Sequence, residues 1–183
     1  MVTREKLYTA EEFFELAQQP EHADKWWELV DGVIVEMPKS NIRHSVISAR
    51  LAYLMGRYVY ENDVGFMVGI GAGFKLSSHT MRSTDVAFIS YERMPKIPEF
   101  LDGAPDIAVE VVSPYEDIFL KANEYLDAST SLVWAVYPDD ERIHVLQKAE
   151  PRWQELGIED TLTGGDVLPN FSILVKQIFD KKR

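Results

Sequence analysis

The run P-D-I-A-V-E-V-V-S-P-Y-E-D-I-F-L-K-A-N-E-Y, residues 105–125, constrains this chain more than any other stretch. Asp106 to Val112 is a short, nearly continuous apolar run rich in β-branched residues, the pattern of a strand buried on both faces. Glu110 stands in its middle, and a buried carboxylate is costly unless something pairs with it or binds it. A helix start follows, with Ser113 as N-cap, Pro114 at the first helical position and Glu116 completing an S-x-x-E capping box. The predicted helix carries Ile118, Ala122, Tyr125 and Leu126 on one stripe, and Lys121 lies on that same stripe. A buried strand with one acid, then a helix that turns one lysine to its apolar side, is what a metal site with a positioned cation requires.

The remaining pieces are read in chain order. Thr9-x-x-Glu12 predicts a capping box opening a short helix to about Gln19. Asp31-Gly32 between two apolar, β-rich runs predicts a hairpin, with Glu28 on its first strand and Glu36 near the end of its second. Ser40 is expected to cap a long helix from about Asn41 to Glu61, on which Ile47, Leu51, Leu54, Met55 and Tyr58 keep a 3.6-residue period. Arg43, Arg50 and Arg57 form one ridge on it, either a solvated face or a contact for phosphates or a partner. His44 in its first turn reads as a local hydrogen-bonding residue or as a functional one. The glycine-rich run Val64 to Leu76 lacks a following G-K-[ST] and a helix, which excludes a phosphate-cradling loop. A bent hairpin, or two strands with a glycine bulge, is expected instead. Asp85 begins the apolar strand within Arg82 to Ser90, and a proline-bearing loop spans Met94 to Pro105. After the predicted helix, Ser131 to Tyr137 and Arg142 to Gln147 read as paired strands around a Pro138-Asp139-Asp140 turn. The tail predicts a short strand near Trp153 and a final helix from about Ser172 to Phe179.

No repeat, linker or composition shift divides the 183 residues, so a single domain over 1–183 is expected. Cysteine is absent, which excludes disulfides, thiolate zinc sites and cysteine nucleophiles, and fits a reducing, cytoplasmic setting. The N-terminus has no apolar signal core, and the uncharged run Val64 to Phe74 is far shorter than the roughly 20 residues a membrane-spanning helix takes, so no membrane partner is expected. The net charge of -11 argues against indiscriminate nucleic-acid binding but leaves room for a local basic patch.

Asp85 and Glu110 converge if their strands are neighbours. Hard divalent cations are held by one or two carboxylates together with phosphate and water. Lys121 would then stabilise developing charge or orient a water, and Glu28 would add a ligand from the hairpin edge. The alternative is that Asp85 and Glu110 face solvent while Lys121 pairs with Asp117 one turn away.

With these residues the chain resembles the Uma-type restriction endonuclease family within the PD-(D/E)XK nuclease superfamily. The likeness is carried, in order, by W-E-L-V-D-G-V-I-V-E-M at 27–37, T-D-V-A-F at 84–88, P-D-I-A-V-E-V-V-S-P at 105–114, K-A-N-E-Y at 121–125 and L-V-W-A-V-Y at 132–137. The resemblance implies a restriction-endonuclease-like α/β fold, a mixed central sheet flanked by helices with an N-terminal β-hairpin, and it suggests homodimers. It implies a catalytic set of Asp85, Glu110, Lys121, Glu28 and His44, with Asp85 and Glu110 as ligands of Mg²⁺ or Mn²⁺. Two positions depart from the superfamily pattern: Thr84 stands where its proline would, and Val112 where its lysine would. The helix lysine of the Uma-type subgroup, here Lys121, replaces the latter. The resulting expectation is a metal-dependent endonuclease acting on DNA phosphodiesters. A catalytically inactive DNA-associated or assembly protein on the same fold, or a phosphoesterase for small substrates, are the alternatives.

Overall fold

The computed structural model describes residues 6–114 and 116–179; residues 1–5, 180–183 and Tyr115, which falls at the predicted helix start, lie outside the described residues. Helix α1, Ala10–Ala17, opens with the reciprocal capping box: the Glu12 amide donates to Thr9 Oγ1 at 3.2 Å and the Thr9 amide to Glu12 Oε2 at 3.0 Å. Strands β1, Trp27–Val30, and β2, Val33–Glu36, form the predicted hairpin. Its two turn residues, Asp31 and Gly32, have φ of 48° and 81°, the pair of positive values that a two-residue type I′ loop demands.

Helix α2, Ile42–Asn62, is capped by Asn41 rather than Ser40, because the Asn41 side chain reaches the His44 amide. Strands β3, Gly65–Gly69, and β4, Gly73–Ser77, occupy the glycine-rich run, but they do not pair with each other. They enter different sheets, so the expected hairpin becomes a crossing point. At the other end of β3, Gly65 permits close pairing with residues 88–90, since a Cβ there would lie 2.2 Å from the Ile89 carbonyl oxygen. Strand β5, Thr80–Ser83, ends before Thr84 and Asp85, and β6, Val86–Ser90, begins after them. Asp85 therefore lies on the link between two strands and not on a strand. The loop 94–105 holds a two-residue strand β7, Leu101–Asp102, parallel to β4.

Strand β8, Ile107–Val111, is buried at every residue, as its composition demands. Helix α3, Ile118–Asp127, starts later than predicted: Asp117, not Ser113, is its N-cap and accepts from the Leu120 amide at 3.0 Å. Glu116 leaves the expected capping box because a buried ammonium, that of Lys121, takes it at 2.7 Å. Strands β9, Leu132–Tyr137, β10, Arg142–Gln147, and β11, Glu150–Leu156, follow as antiparallel neighbours. The tail forms a hairpin of β12, Thr161–Gly164, and β13, Leu168–Leu174, with only a short helix α4, Lys176–Phe179, behind it. The predicted terminal helix gives way to strand at its start because Phe171, Ile173 and Val175 are buried alternately with exposed Ser172 and Leu174, a period of two.

Six strands, in the order β11-β10-β9-β8-β6-β3, make the main mixed sheet, and β2-β1-β5-β4-β7 make a second. In the main sheet β8 and β9 are parallel and joined through α3. One face, with Val109, Val111, Trp134 and Val136, packs on α2, the β12–β13 hairpin and α4. The other carries Ala108 and Val133 under α3, and Ala87 and Ile89 under Phe74 and Leu101 of the second sheet. Side chains alternate along β8, so Val109 and Val111 face α2 while Glu110 is delivered to the α3 side. The β5–β6 link carries the chain from one sheet to the other.

Candidate active site

The five side chains singled out from sequence surround one cleft of about 170 Å³. They come from five places: Glu28 from β1, His44 from the first turn of α2, Asp85 from the β5–β6 link, Glu110 from β8 and Lys121 from α3. Asp85 is held from two sides. The Val111 amide donates to its Oδ2 at 2.7 Å, and His44 Nε2 lies 2.7 Å from its Oδ1. The Asp85 amide donates to the Val109 carbonyl, so the link continues the β6–β8 ladder and the carboxylate takes over its next acceptor position.

Lys121 is buried, and its ammonium reaches Glu116 Oε1 at 2.7 Å, Glu110 Oε2 at 3.0 Å and Glu28 Oε1 at 3.2 Å. Three carboxylates take the three donors an ammonium has. Glu28 also accepts from the Ser83 amide at 3.0 Å and from Arg82 at 2.9 Å, and Arg82 continues to Glu124 at 2.7 and 3.0 Å. Tyr125 donates its hydroxyl to the Ser83 carbonyl at 3.0 Å. The alternative pairing of Lys121 with Asp117 is limited to the helix backbone bond.

This network holds more acid than base: Glu28, Asp85, Glu110, Glu116 and Glu124 stand against Lys121 and Arg82. Burial, together with the charges of Glu116, Asp85 and Glu28, pushes the Glu110 carboxyl well above its usual range against the pull of Lys121. Burial acts the same way on Glu28, but Lys121, Arg82 and the Ser83 amide outweigh it and hold that carboxyl below its usual range. Burial would lower Lys121, yet its three carboxylates overcome this and raise it. Tyr125 is raised by burial and by the charges of Glu110 and Glu28.

Among the described residues, two buried oxygens of residues lining the cleft, Glu110 Oε1 and Thr84 Oγ1, have no hydrogen-bond partner. A buried acceptor left unmade is expensive, so the Glu110 oxygen is a place for a donor or a cation. Among the described residues no group of three or more His, Asp or Glu gathers as a metal cage. Two carboxylates, one with a free oxygen, suit a hard cation that keeps waters and takes up phosphate, and do not suit a closed zinc site.

The Uma2 family model, described as "Putative restriction endonuclease", matches residues 10–176. The chain belongs to the Uma2 family. The Uma2 match includes all of the strands and helices that supply the cleft, from β1 to α3. A crystal structure from Anabaena variabilis ATCC 29413, described as a putative nuclease belonging to DUF820, superposes with a TM-score of 0.81 over 93% of this chain and 97% of that one at 17% identity, so the two share a fold. No curated protein matches this Uma2 chain. No helix among the described residues is long and apolar enough to cross a membrane.

Sequence reasoning missed several members of the network. Glu116 satisfied a local capping pattern and was assigned to it. Arg82 sits in T-M-R-S without any apolar context to make a charge stand out, and Glu124 lies one turn beyond Lys121, the signal that would have found it. Ser83 acts largely through its backbone, which leaves no trace in residue type. Glu36, at the end of the second hairpin strand, is exposed and pairs with Lys25 at 3.5 Å.

Proposed function

We propose that this protein is a metal-dependent endonuclease that hydrolyses DNA phosphodiester bonds. Its family supports a nuclease, and the unpartnered Glu110 Oε1 in the cleft shared with Asp85 is the observation that supports a cation-assisted one. In this reading Asp85 and Glu110 hold Mg²⁺ or Mn²⁺. Such an ion supplies charge for the phosphoryl oxygens and a bound water of lowered pKa. His44 donates from Nε2 to Asp85 and fixes its orientation. Lys121 fixes Glu110 and offsets its charge; for its ammonium to face a phosphate, one of its three carboxylates has to let go. Glu116 is the one to do so, since it is the most exposed of the three, at 11% against 3% for Glu110 and 1% for Glu28.

The test is cleavage of supercoiled plasmid with Mg²⁺ or Mn²⁺ by wild type, Asp85→Asn and Glu110→Gln. Both variants keep the shape and an acceptor for their hydrogen bonds, so both should fold. Nicking or linearisation by wild type alone supports the reading. Equal cleavage by either variant refutes the assignment. A folded wild type inert with both metals moves the case to a non-catalytic protein on the same fold, which the full engagement of Lys121 would then explain.

A further inference from the structure

The outward face of α2 carries no charge along its centre. Its inward face holds Ile47, Leu51, Leu54, Met55 and Val59 in the core. At about 100° per residue, Ile42, Ala49, Tyr53 and Tyr60 fall within about 20° of the direction opposite Leu51, and Val46 and Gly56 within about 40°. The outer face of a surface helix is normally its polar one. Here Ile42 is 84% exposed, Val46 48%, Tyr53 65% and Tyr60 63%. Their spacing, with Ala49 and Gly56 between them, alternates four and three over the whole helix, which is the seam of a helix pair.

We propose that this seam joins two copies of the chain through antiparallel α2 helices related by a two-fold axis at Leu51. The seam is self-complementary in that register. Tyr53 meets the exposed Ala49 of the second copy and Ile42 meets its Tyr60, so a large side chain faces a small one in the innermost layer; Val46 arrives over Gly56, which is buried beside Met67 and Tyr60, and so packs on the Tyr60 ring that covers it. An isologous contact requires such matching, because each residue meets its partner twice. The Arg43 and Arg50 side chains do not oppose the pairing. Arg43 is bound to Asp139 and the Pro138 carbonyl, and Arg50 donates to the Ile178 carbonyl, so both are folded back onto their own chain. Arg57 of one copy arrives beside the Arg43–Asp139 pair of the other, where Asp139 is 92% exposed and supplies a counter-charge. The four large seam side chains leave on the order of 500 Å² in water, more than half of the roughly 800 Å² per partner that a standard interface covers, and the flanking stems extend it. Nucleic acid would need cations along the seam itself, and it has none; a membrane would need them beside the apolar stripe, where Arg43 and Arg50 are turned back onto their own chain.

The proposal does not depend on cleavage and is tested on the full chain by light scattering and sedimentation at tens of micromolar, where a standard-sized interface associates. Wild type and a control, Ile97→Glu, altered at a 75% exposed site off this face, should be dimers. Tyr53→Glu and Ala49→Glu, both surface changes, should be monomers with unchanged circular dichroism, their association weakened about 30-fold or more as for loss of a central anchor. A monomeric wild type overturns the proposal, as does a dimer that survives both seam variants. Binding of duplex DNA or anionic vesicles that Tyr53→Glu abolishes, in a wild type that stays monomeric, overturns the second copy as occupant.

Discussion

Replacing Lys121 by methionine keeps the apolar stem and removes the charge that three carboxylates share. Taking one partner from a buried ion pair costs about 3–5 kcal/mol, because the other is left charged and dry. The lower end applies here. Glu28 retains Arg82 and the Ser83 amide, and Glu116, at 11% exposure, turns toward water. Glu110 keeps no charged partner once Lys121 is gone, only the neighbouring Tyr125 hydroxyl, which donates to the Ser83 carbonyl. Its carboxyl already lies well above the usual value of 4.5 through burial and neighbouring charge, and losing Lys121 raises it further. A raised carboxyl stabilises the folded state fully below its unfolded value and loses that contribution as pH rises through its folded value. The variant should therefore lose about 3 kcal/mol at pH 8, or about 6–12 °C in Tm for a chain of this size, and distinctly less at pH 5. Urea titrations at the two pH values measure it. Adding Glu110→Gln should restore at least about 1 kcal/mol, since the second change removes the stranded charge. A Lys121→Met protein within about 1 kcal/mol of wild type at both pH values, or one hurt more at pH 5 than at pH 8, refutes the reasoning.

Three further outcomes follow from the same geometry. Glu28 is held below 4.5 despite burial, so its stabilisation is present above that value and lost as pH falls through the folded one; Glu28→Gln should be less stable at neutral pH, with the deficit closing on acidification in an acid-unfolding series. Gly65→Ala places a methyl 2.2 Å from the Ile89 carbonyl oxygen and 2.9 Å from Ser90 Cα, and should cost about 1–3 kcal/mol with faster hydrogen exchange along β3; unchanged exchange would refute the contact. Tyr125 is raised by burial and by Glu110 and Glu28, so an alkaline ultraviolet titration should show a tyrosine that resists ionisation until the protein unfolds and that Tyr125→Phe removes; identical curves would refute it.

The legible part of the site consists of charges in the wrong company. Glu110 interrupts an apolar strand and Lys121 an apolar helical stripe, and each break in pattern marks a residue held for another reason. Glu116 was hidden by the opposite effect: it completed a local pattern, and only the buried ammonium three-dimensionally beside it shows why the pattern was not used. The hairpin at Asp31-Gly32 was legible because a two-residue turn is decided by its own backbone. The division into two sheets was not, because β1 pairs with β5 some fifty residues on, and β3 and β4, adjacent in sequence, separate. Long-range pairing is set by which faces find burial, and no short window contains that information. The outward stripe of α2 shows the same limit: the core-facing period was read correctly, and the second period on the far side only becomes visible once exposure is known.

The interlocking of Glu28, Arg82, Lys121, Glu110 and Glu124 has an evolutionary consequence. Each of these residues is the counter-charge of another, and loss of Lys121 or Arg82 strands buried carboxylates and endangers the fold, whereas each cation keeps a partner when one carboxylate is lost. A descendant released from selection on turnover would keep the two cations, because drift has to remove a cation and its carboxylates together to pass without penalty. Catalysis would instead fade through the positions that cost the fold least. Asp85→Asn is the foremost of these, since the amide still accepts from Val111 and still reaches His44. On the proposed function, the side chain at the β5–β6 link would therefore separate active from retired members better than the lysine or the arginine, whose loss strands buried carboxylates.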